Sequence, residues 1–247
     1  MIVNHDSGTS VDEVAEGIYR ISTPLDVIPG GFTFNSYLVL DDEPLLFHTG
    51  YRAMFEITRE AIQKVVPLEK LRWIGGSHFE GDEFGALNHL LAVAPGATGF
   101  GSEIGVLTSL NDFASRPARG LKDGEEFSIG SRRMKWMYTP HVPHGWDCGI
   151  LFDLSTSTLL CGDLLTQPGA GMAAVTESEI LTASEGMRGM MDYYAHATST
   201  TSVLEGLAKL KPSMLACQHG SAYRGDGAAL LRELAVRIER GAPVLSA

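Results

Sequence analysis

Short apolar runs separated by turn residues dominate the first half of the chain. Ile18 to Ile21 and Phe34 to Leu40 are rich in β-branched and aromatic residues, and Asp41-Asp42-Glu43-Pro44 is a turn before the run Leu45-Leu46-Phe47. That pattern predicts a hairpin ending at His48-Thr49-Gly50. Met54, Ile57, Ala61 and Val65 recur at helical spacing, and Pro67 closes that helix before a strand around Trp73-Ile74. A second helix is expected from about Glu83 to Ala94, stopped by Pro95-Gly96. In the second half, Arg133 to Tyr138, Gly149 to Leu154 and Thr158 to Cys161 read as strands, followed later by Met214-Leu215-Ala216. Thr182-Ala183-Ser184-Glu185 and Ser202-Val203-Leu204-Glu205 are capping-box patterns that predict two helix starts, and Lys211-Pro212 ends the second. Leu231, Leu234 and Ile238 mark one face of a closing helix. The strands fall into two groups, each followed by helices, which predicts two sheets packed together with helices outside. No repeat, low-complexity tract or linker divides residues 1–247, so they are read as one domain.

Composition narrows the partners. Lys+Arg 19 against Asp+Glu 30 gives a formal charge of −11, which repels a phosphate backbone and an anionic lipid surface alike. Nucleic acid is not an expected partner. Nowhere does an apolar run approach the ~18 residues of a membrane span, and Met1 to Asp6 has neither a basic nor an apolar leader region. Cys148, Cys161 and Cys217 are too few and too scattered for a disulfide framework or a CxxC site, so a reducing, cytoplasmic setting is expected. Bound cations would offset part of the negative charge, which directs attention to clustered His, Asp and Glu.

Such a cluster stands between the strand at Trp73-Ile74 and the following helix, in Ser77-His78-Phe79-Glu80-Gly81-Asp82-Glu83. In an extended loop alternate residues share a side, so His78, Glu80 and Asp82 can converge while Phe79 and Gly81 face away. Asp82 and Glu83 would equally suit a solvated helix start. Three later residues weigh against that plainer reading. His144 follows the strand ending at Tyr138, Asp163 follows Leu159-Leu160-Cys161-Gly162, and His219 follows Met214-Leu215-Ala216. Each is a ligand-type residue beyond a strand end and next to a glycine, where loops build sites on a rigid scaffold.

The order His-x-Glu-x-Asp, His, Gly-Asp, His-Gly, with Asn35-Ser36-Tyr37-Leu38-Val39 and Thr49-Gly50 upstream, resembles the metallo-β-lactamase superfamily. Glu80, in place of the second histidine of the hydrolases, is similar to its diiron branch, the flavodiiron and single-domain oxygen-binding diiron proteins. Asp147, three residues after His144, is also similar to that branch. The resemblance runs from about Tyr19 to Tyr223 and implies an α/β fold of the αββα sandwich type. It implies that His78, Glu80 and His144 hold one iron, that Asp82 and His219 hold a second, and that Asp163 bridges them. A carboxylate in place of an imidazole makes the site harder and more anionic, which suits Fe or Mn better than Zn.

Two positions depart from the family pattern. Glu83 stands where most relatives have His, so it is read either as a carboxylate ligand or as a helix-start residue. His48 stands where hydrolytic relatives commonly have Asp, and is read as a support for a metal histidine or as an interior histidine. His141 is set aside in favour of His144, and His5 and His89 are read as surface residues. The Met- and Tyr-rich segment from Met187 to His196 reads as helix packing, or as an apolar O2 pocket with Tyr193, Tyr194 or His196 as distal donors.

The resemblance implies a non-haem diiron protein that binds and reduces O2 or NO. Flavodiiron relatives carry a flavodoxin-like module, and 247 residues leave no length for one beside the sandwich. An external electron donor, a flavoprotein or a rubredoxin-like protein, is therefore expected, and a homodimer is possible. The rival readings are a metallo-hydrolase of esters, lactones or amides, holding Zn or Mn, and an O2 or redox sensor without turnover.

Overall fold

The structure, a computed structural model, describes residues 1–241. Eight strands form the first sheet in sequence order: β1 (Ile2–Asn4), β2 (Thr9–Ala15), β3 (Ile18–Leu25), β4 (Phe32–Val39), β5 (Leu45–Phe47), β6 (Trp73–Gly75), β7 (Thr98–Ser102) and β8 (Arg119–Leu121). The second sheet holds β9 (Glu126–Ser128), β10 (Arg133–Tyr138), β11 (Gly149–Asp153), β12 (Thr158–Leu160), β13 (Val175–Thr176), β14 (Met214–Ala216) and β15 (Ala222–Arg224). Its order is β13-β15-β14-β12-β11-β10-β9.

Period-two alternation divides each strand between two cores. On β4 and β5, Leu38 and Leu46 pack with Ile62, Leu87 and Leu90 on the helical side. Their neighbours Tyr37, Val39, Leu45 and Phe47 face the second sheet and meet Trp136, Leu151 and Leu160. On the far side, Ile150, Phe152, Leu159 and Leu215 pack against Leu204, Leu207, Leu231 and Leu234. The layers run helix, sheet, sheet, helix, as the sequence pattern predicts. The helices in chain order are α1 (Phe55–Gln63), α2 (Gly81–Phe84), α3 (Leu87–Val93), α4 (Glu103–Gly105), α5 (Asn111–Phe113), α6 (Leu181–Met191), α7 (Thr200–Ala208) and α8 (Gly227–Glu239). Among the described residues, no helix is long and apolar enough to cross a membrane.

Three local expectations are corrected. The helix expected from Glu83 to Ala94 is two helices, α2 and α3, because Ala86 N–H donates to Gly50 O and to Thr49 Oγ1 and so turns the chain against β5's end. A side chain at Gly85 would meet Gly81 O at 2.2 Å, so only glycine fits that corner. Neither capping box caps. Helix α6 starts a residue before Thr182, whose N–H is taken by Glu179 Oε1 at 2.7 Å. Helix α7 starts at Thr200, two residues before Ser202. Glu185 and Glu205 instead pair with Arg188 and Arg232.

Strand direction is what builds the site. In the second sheet β10 and β12 are each antiparallel to β11, and β12 is parallel to β14, so β10, β12 and β14 run the same way. The segments that follow them gather at one end, opposite the loop that follows β6.

Candidate metal centre

The loop after β6 supplies three donors. Glu80 is extended (φ −135°, ψ 174°), so His78 and Glu80 turn inward together, while Phe79 packs outward on Phe84 and Phe113. Asp82 enters from the first turn of α2. Asp147 pins the loop from the other sheet: its Oδ2 accepts the Phe79 N–H at 3.0 Å. Asp147 therefore touches the backbone of the site and none of its donor atoms.

From the second sheet come His144, Asp163 and His219, beyond β10, β12 and β14. Gly145 (φ +74°) and Gly162 (φ +54°) let these segments approach closely, since a Cβ at Gly145 would meet the His78 Cβ at 3.1 Å and one at Gly162 would meet Ser77 Oγ at 2.9 Å. All three histidines are oriented from behind. His144 Nδ1 donates to Tyr193 O at 2.9 Å, His219 Nδ1 donates to Thr33 O at 2.8 Å, and His78 Nδ1 lies 3.0 Å from Ser77 Oγ. Occupying each Nδ1 leaves each Nε2 turned inward, the arrangement a metal-binding imidazole needs.

The inward atoms fall into two groups that share one carboxylate. His144 Nε2 lies 3.1 Å from Asp163 Oδ2 and 3.4 Å from Glu80 Oε1, and His78 Nε2 lies 3.6 and 3.4 Å from the same two oxygens. On the other side, His219 Nε2 lies 3.1 Å from Asp163 Oδ1 and 3.5 Å from Asp82 Oδ2. His78 Nε2 and Asp163 Oδ1 are buried without a hydrogen-bond partner. Unsatisfied polar atoms at that depth are costly, and converging donors of both kinds are what a cation would satisfy. The residues fit two metal ions joined through Asp163.

Burial, attraction and like-charge repulsion all perturb the groups: Asp82 and Glu83 are raised by burial and by the neighbouring Asp163. Burial alone would raise the Asp163 carboxyl, but the close approach of His144 and His219, with His78 beyond, holds it well below the usual range. The attraction of His144 and His78, each 3.4 Å away, brings Glu80 down to about 2. Burial disfavours the His144 cation, yet Asp163 and Glu80 push its pKa up to about 10. Buried His48 is held at about 3 and stays neutral, its Nε2 accepting the Ser77 N–H at 3.3 Å.

A cavity of about 250 Å³ opens over the donors, lined by Val27, Ile28, Phe32, Phe34, Tyr51, Met187, Met191 and Tyr193. Tyr193 thus lies on the cavity wall. Tyr194 and His196 do not: Tyr194 is buried in the outer core, and His196 is exposed and paired with Asp192 at 2.7 Å. Asp192 is left-handed (φ 47°) and ends α6, so residues beyond it leave the helix face that covers the cavity. His141, His5 and His89 are exposed.

Other side chains, not expected at the site from the sequence, support the donors. Gln218 Nε2 donates to Asp82 Oδ2 at 3.1 Å. The Cys217–Gly220 turn is held by Tyr37, Asn35 and buried Arg20, which donate to the carbonyls of Cys217, of Cys217 and Gly220, and of Gly220. Tyr51 is a cavity wall contributed by the short segment before α1. The three cysteines are free and buried, as core-filling residues would be.

A four-layer sandwich with a buried His/Asp/Glu cluster at one end of its sheets defines the metallo-β-lactamase class of protein. Residues 32–220 match the family described as ODP family beta lactamase, and the chain belongs to it. It is 27% identical over 206 residues to the rubredoxin-oxygen oxidoreductase of Megalodesulfovibrio gigas, covering 80% of this chain and 50% of that protein. With putative diflavin flavoprotein A 2 of Synechocystis sp. the identity is 25% over 199 residues, covering 77% and 33%. The flavodiiron protein of Giardia intestinalis has the same fold, with a TM-score of 0.81 at 18% identity over 94% of this chain and 60% of that one. The chain thus spans half or less of the length of the curated relatives it matches.

Proposed function

We propose that this domain is a non-haem diiron protein that binds and reduces O2 or NO with electrons delivered from outside the sandwich. The observation that carries the reading is the placement of Glu80 between His78 and His144, opposite a carboxylate whose two oxygens face two separate donor groups. His78, Glu80, His144 and Asp163 Oδ2 would hold the first iron, and Asp82, His219 and Asp163 Oδ1 the second. Three imidazoles and three carboxylates are a harder, more anionic set than the imidazole-rich set of a zinc hydrolase, which supports iron. Two such irons would supply one-electron redox chemistry toward a small ligand.

The chain's own residues do the rest. Asp163 ties the two positions to one side chain. The backbone acceptors Tyr193 O and Thr33 O fix His144 and His219, so little reorganisation is needed when a metal changes charge. Val27, Ile28, Phe32, Phe34, Met187 and Met191 make an apolar approach, suited to an uncharged diatomic and poorly suited to an ionic ester or lactam. The name of the Megalodesulfovibrio relative couples rubredoxin to oxygen, which supports a small redox protein as donor.

The test is turnover. Iron-loaded protein given a chemical reductant and a redox mediator should consume O2 or NO at a rate proportional to iron content. Ester or lactone hydrolysis by zinc-loaded protein, without gas uptake by the iron form, would overturn the proposal.

A further inference from the structure

The cavity over the donors is larger than a diatomic ligand requires. A diatomic needs about the room of one or two waters, ~30–60 Å³, whereas this cavity holds about 250 Å³. An apolar cavity of ~150 Å³ already accepts benzene, so the space left over is that of an organic group of about nine carbons.

The wall that bounds this space stands apart from the three large cores. Phe32, Phe34, Met54 and Met187 form a cluster of their own, with Ile28 packed on it. Val27 and Met191 carry the apolar wall out to the surface, where they are 57% and 59% exposed. An exposed apolar rim continuous with an apolar cavity marks an entrance for an apolar ligand. The unbranched thioethers of Met187 and Met191 adapt to the shape of what they touch. Beyond the metal donors no charged side chain among the described residues lines the cavity, so an ionised organic group would find no partner there.

We propose that the cavity binds uncharged organic hydroperoxides of about nine carbons, and that the diiron centre reduces them to the alcohol and water. The O–O bond breaks as each iron passes from ferrous to ferric and gives up one electron. The two oxygens so released take two protons from solvent, leaving ROH and H2O, and the external donor returns the two electrons. The inference rests on the diiron reading for its electrons, whereas binding of the organic group does not.

The experiment uses cumene hydroperoxide and its product, 2-phenylpropan-2-ol. Zinc-loaded protein, redox-inert and diamagnetic, is labelled with ¹³C-methyl methionine and titrated with the alcohol. The Met187 and Met191 methyl signals, assigned from Met187→Leu and Met191→Leu, should shift saturably. The iron form, reduced anaerobically, is then mixed with equal concentrations of cumene hydroperoxide or hydrogen peroxide. Cumene hydroperoxide should oxidise it about tenfold faster or more, with one alcohol formed per two irons oxidised. Met187→Trp, which fills the cavity, should weaken alcohol binding and lower the ratio of the two rates about tenfold. Should that variant fail to fold, Val27→Trp at the exposed rim is read in the same way.

Equal rates with the two peroxides would overturn the substrate class even if the alcohol bound. A rate advantage without methyl shifts would put the reaction outside the cavity and overturn it too, as would an unchanged ratio in the filled variant. Failure of the diiron reading is seen separately, as a reduced iron form that O2 and both peroxides leave unoxidised. The reduction step then falls, and the methyl shifts alone decide whether the cavity holds the organic group.

Discussion

The two proposed metal positions are built from different amounts of protein. Around the first, two imidazoles and two carboxylates converge, from the loop after β6 and from the segments after β10 and β12. Around the second, one imidazole and two carboxylates do so, and His219 stacks on Phe32 at the cavity wall. His78 lies behind the cavity, whereas Asp82 and His219 line it. The difference teaches a division of labour. A position with more donors, one of them walled in, should fill first and exchange slowly, while the poorer position keeps room for an incoming ligand.

The comparison breaks most completely at Asp163. Asp163→Asn removes the charge shared by both positions, and each should lose about a hundredfold in iron affinity, roughly 2.7 kcal/mol, in a chelator-competition titration. Loss confined to one position would remove Asp163 as the bridge. His219→Ala should leave the first position filled and empty the second, giving about one iron per chain by metal analysis.

Proton competition should sharpen the contrast. Without metal, His144 titrates at about 10, so at neutral pH it carries a proton that a metal must displace. Affinity at the first position should therefore rise with pH up to about 10 and fall by up to tenfold per unit below it, with proton release in weakly buffered solution. A pH-independent affinity between 6 and 9 would contradict this. The smallest effect is expected from Asp147→Ala, which frees the Phe79 N–H without touching a donor atom. It should weaken the first position about tenfold and lower thermal stability by about 1 kcal/mol, with the second position nearly unchanged.

The donor residues could be read in the sequence because simple periodicities place them. Alternation in an extended loop turns His78 and Glu80 to one side, and a strand end beside glycine exposes Asp163 and His219. The layered fold was legible for the same reason, since alternate residues of β4 and β5 serve two cores. What surrounds the donors was not. Ser77, Thr33 and Gln218 act through single hydrogen bonds whose partners are distant in sequence, and Tyr51 reaches the cavity only because α1 packs where it does. The Met- and Tyr-rich segment shows the limit: its composition reads equally as helix packing or as a pocket wall, and only the fold sets Met187 and Tyr193 on the cavity while the left-handed Asp192 swings His196 into solvent. Strands β1, β2, β7, β8 and β9 gave no distinct signal, being short or mixed in polarity.

The central claim is that the two donor groups hold a pair of irons sharing Asp163. It is tested most directly by metal analysis of protein purified without added metal, joined to absorbance spectra taken anaerobically and after admission of air. The account expects about two irons per chain and a near-ultraviolet absorption that appears on oxidation and is halved or lost in Asp163→Asn. Two zinc ions per chain, with spectra indifferent to air, would contradict it.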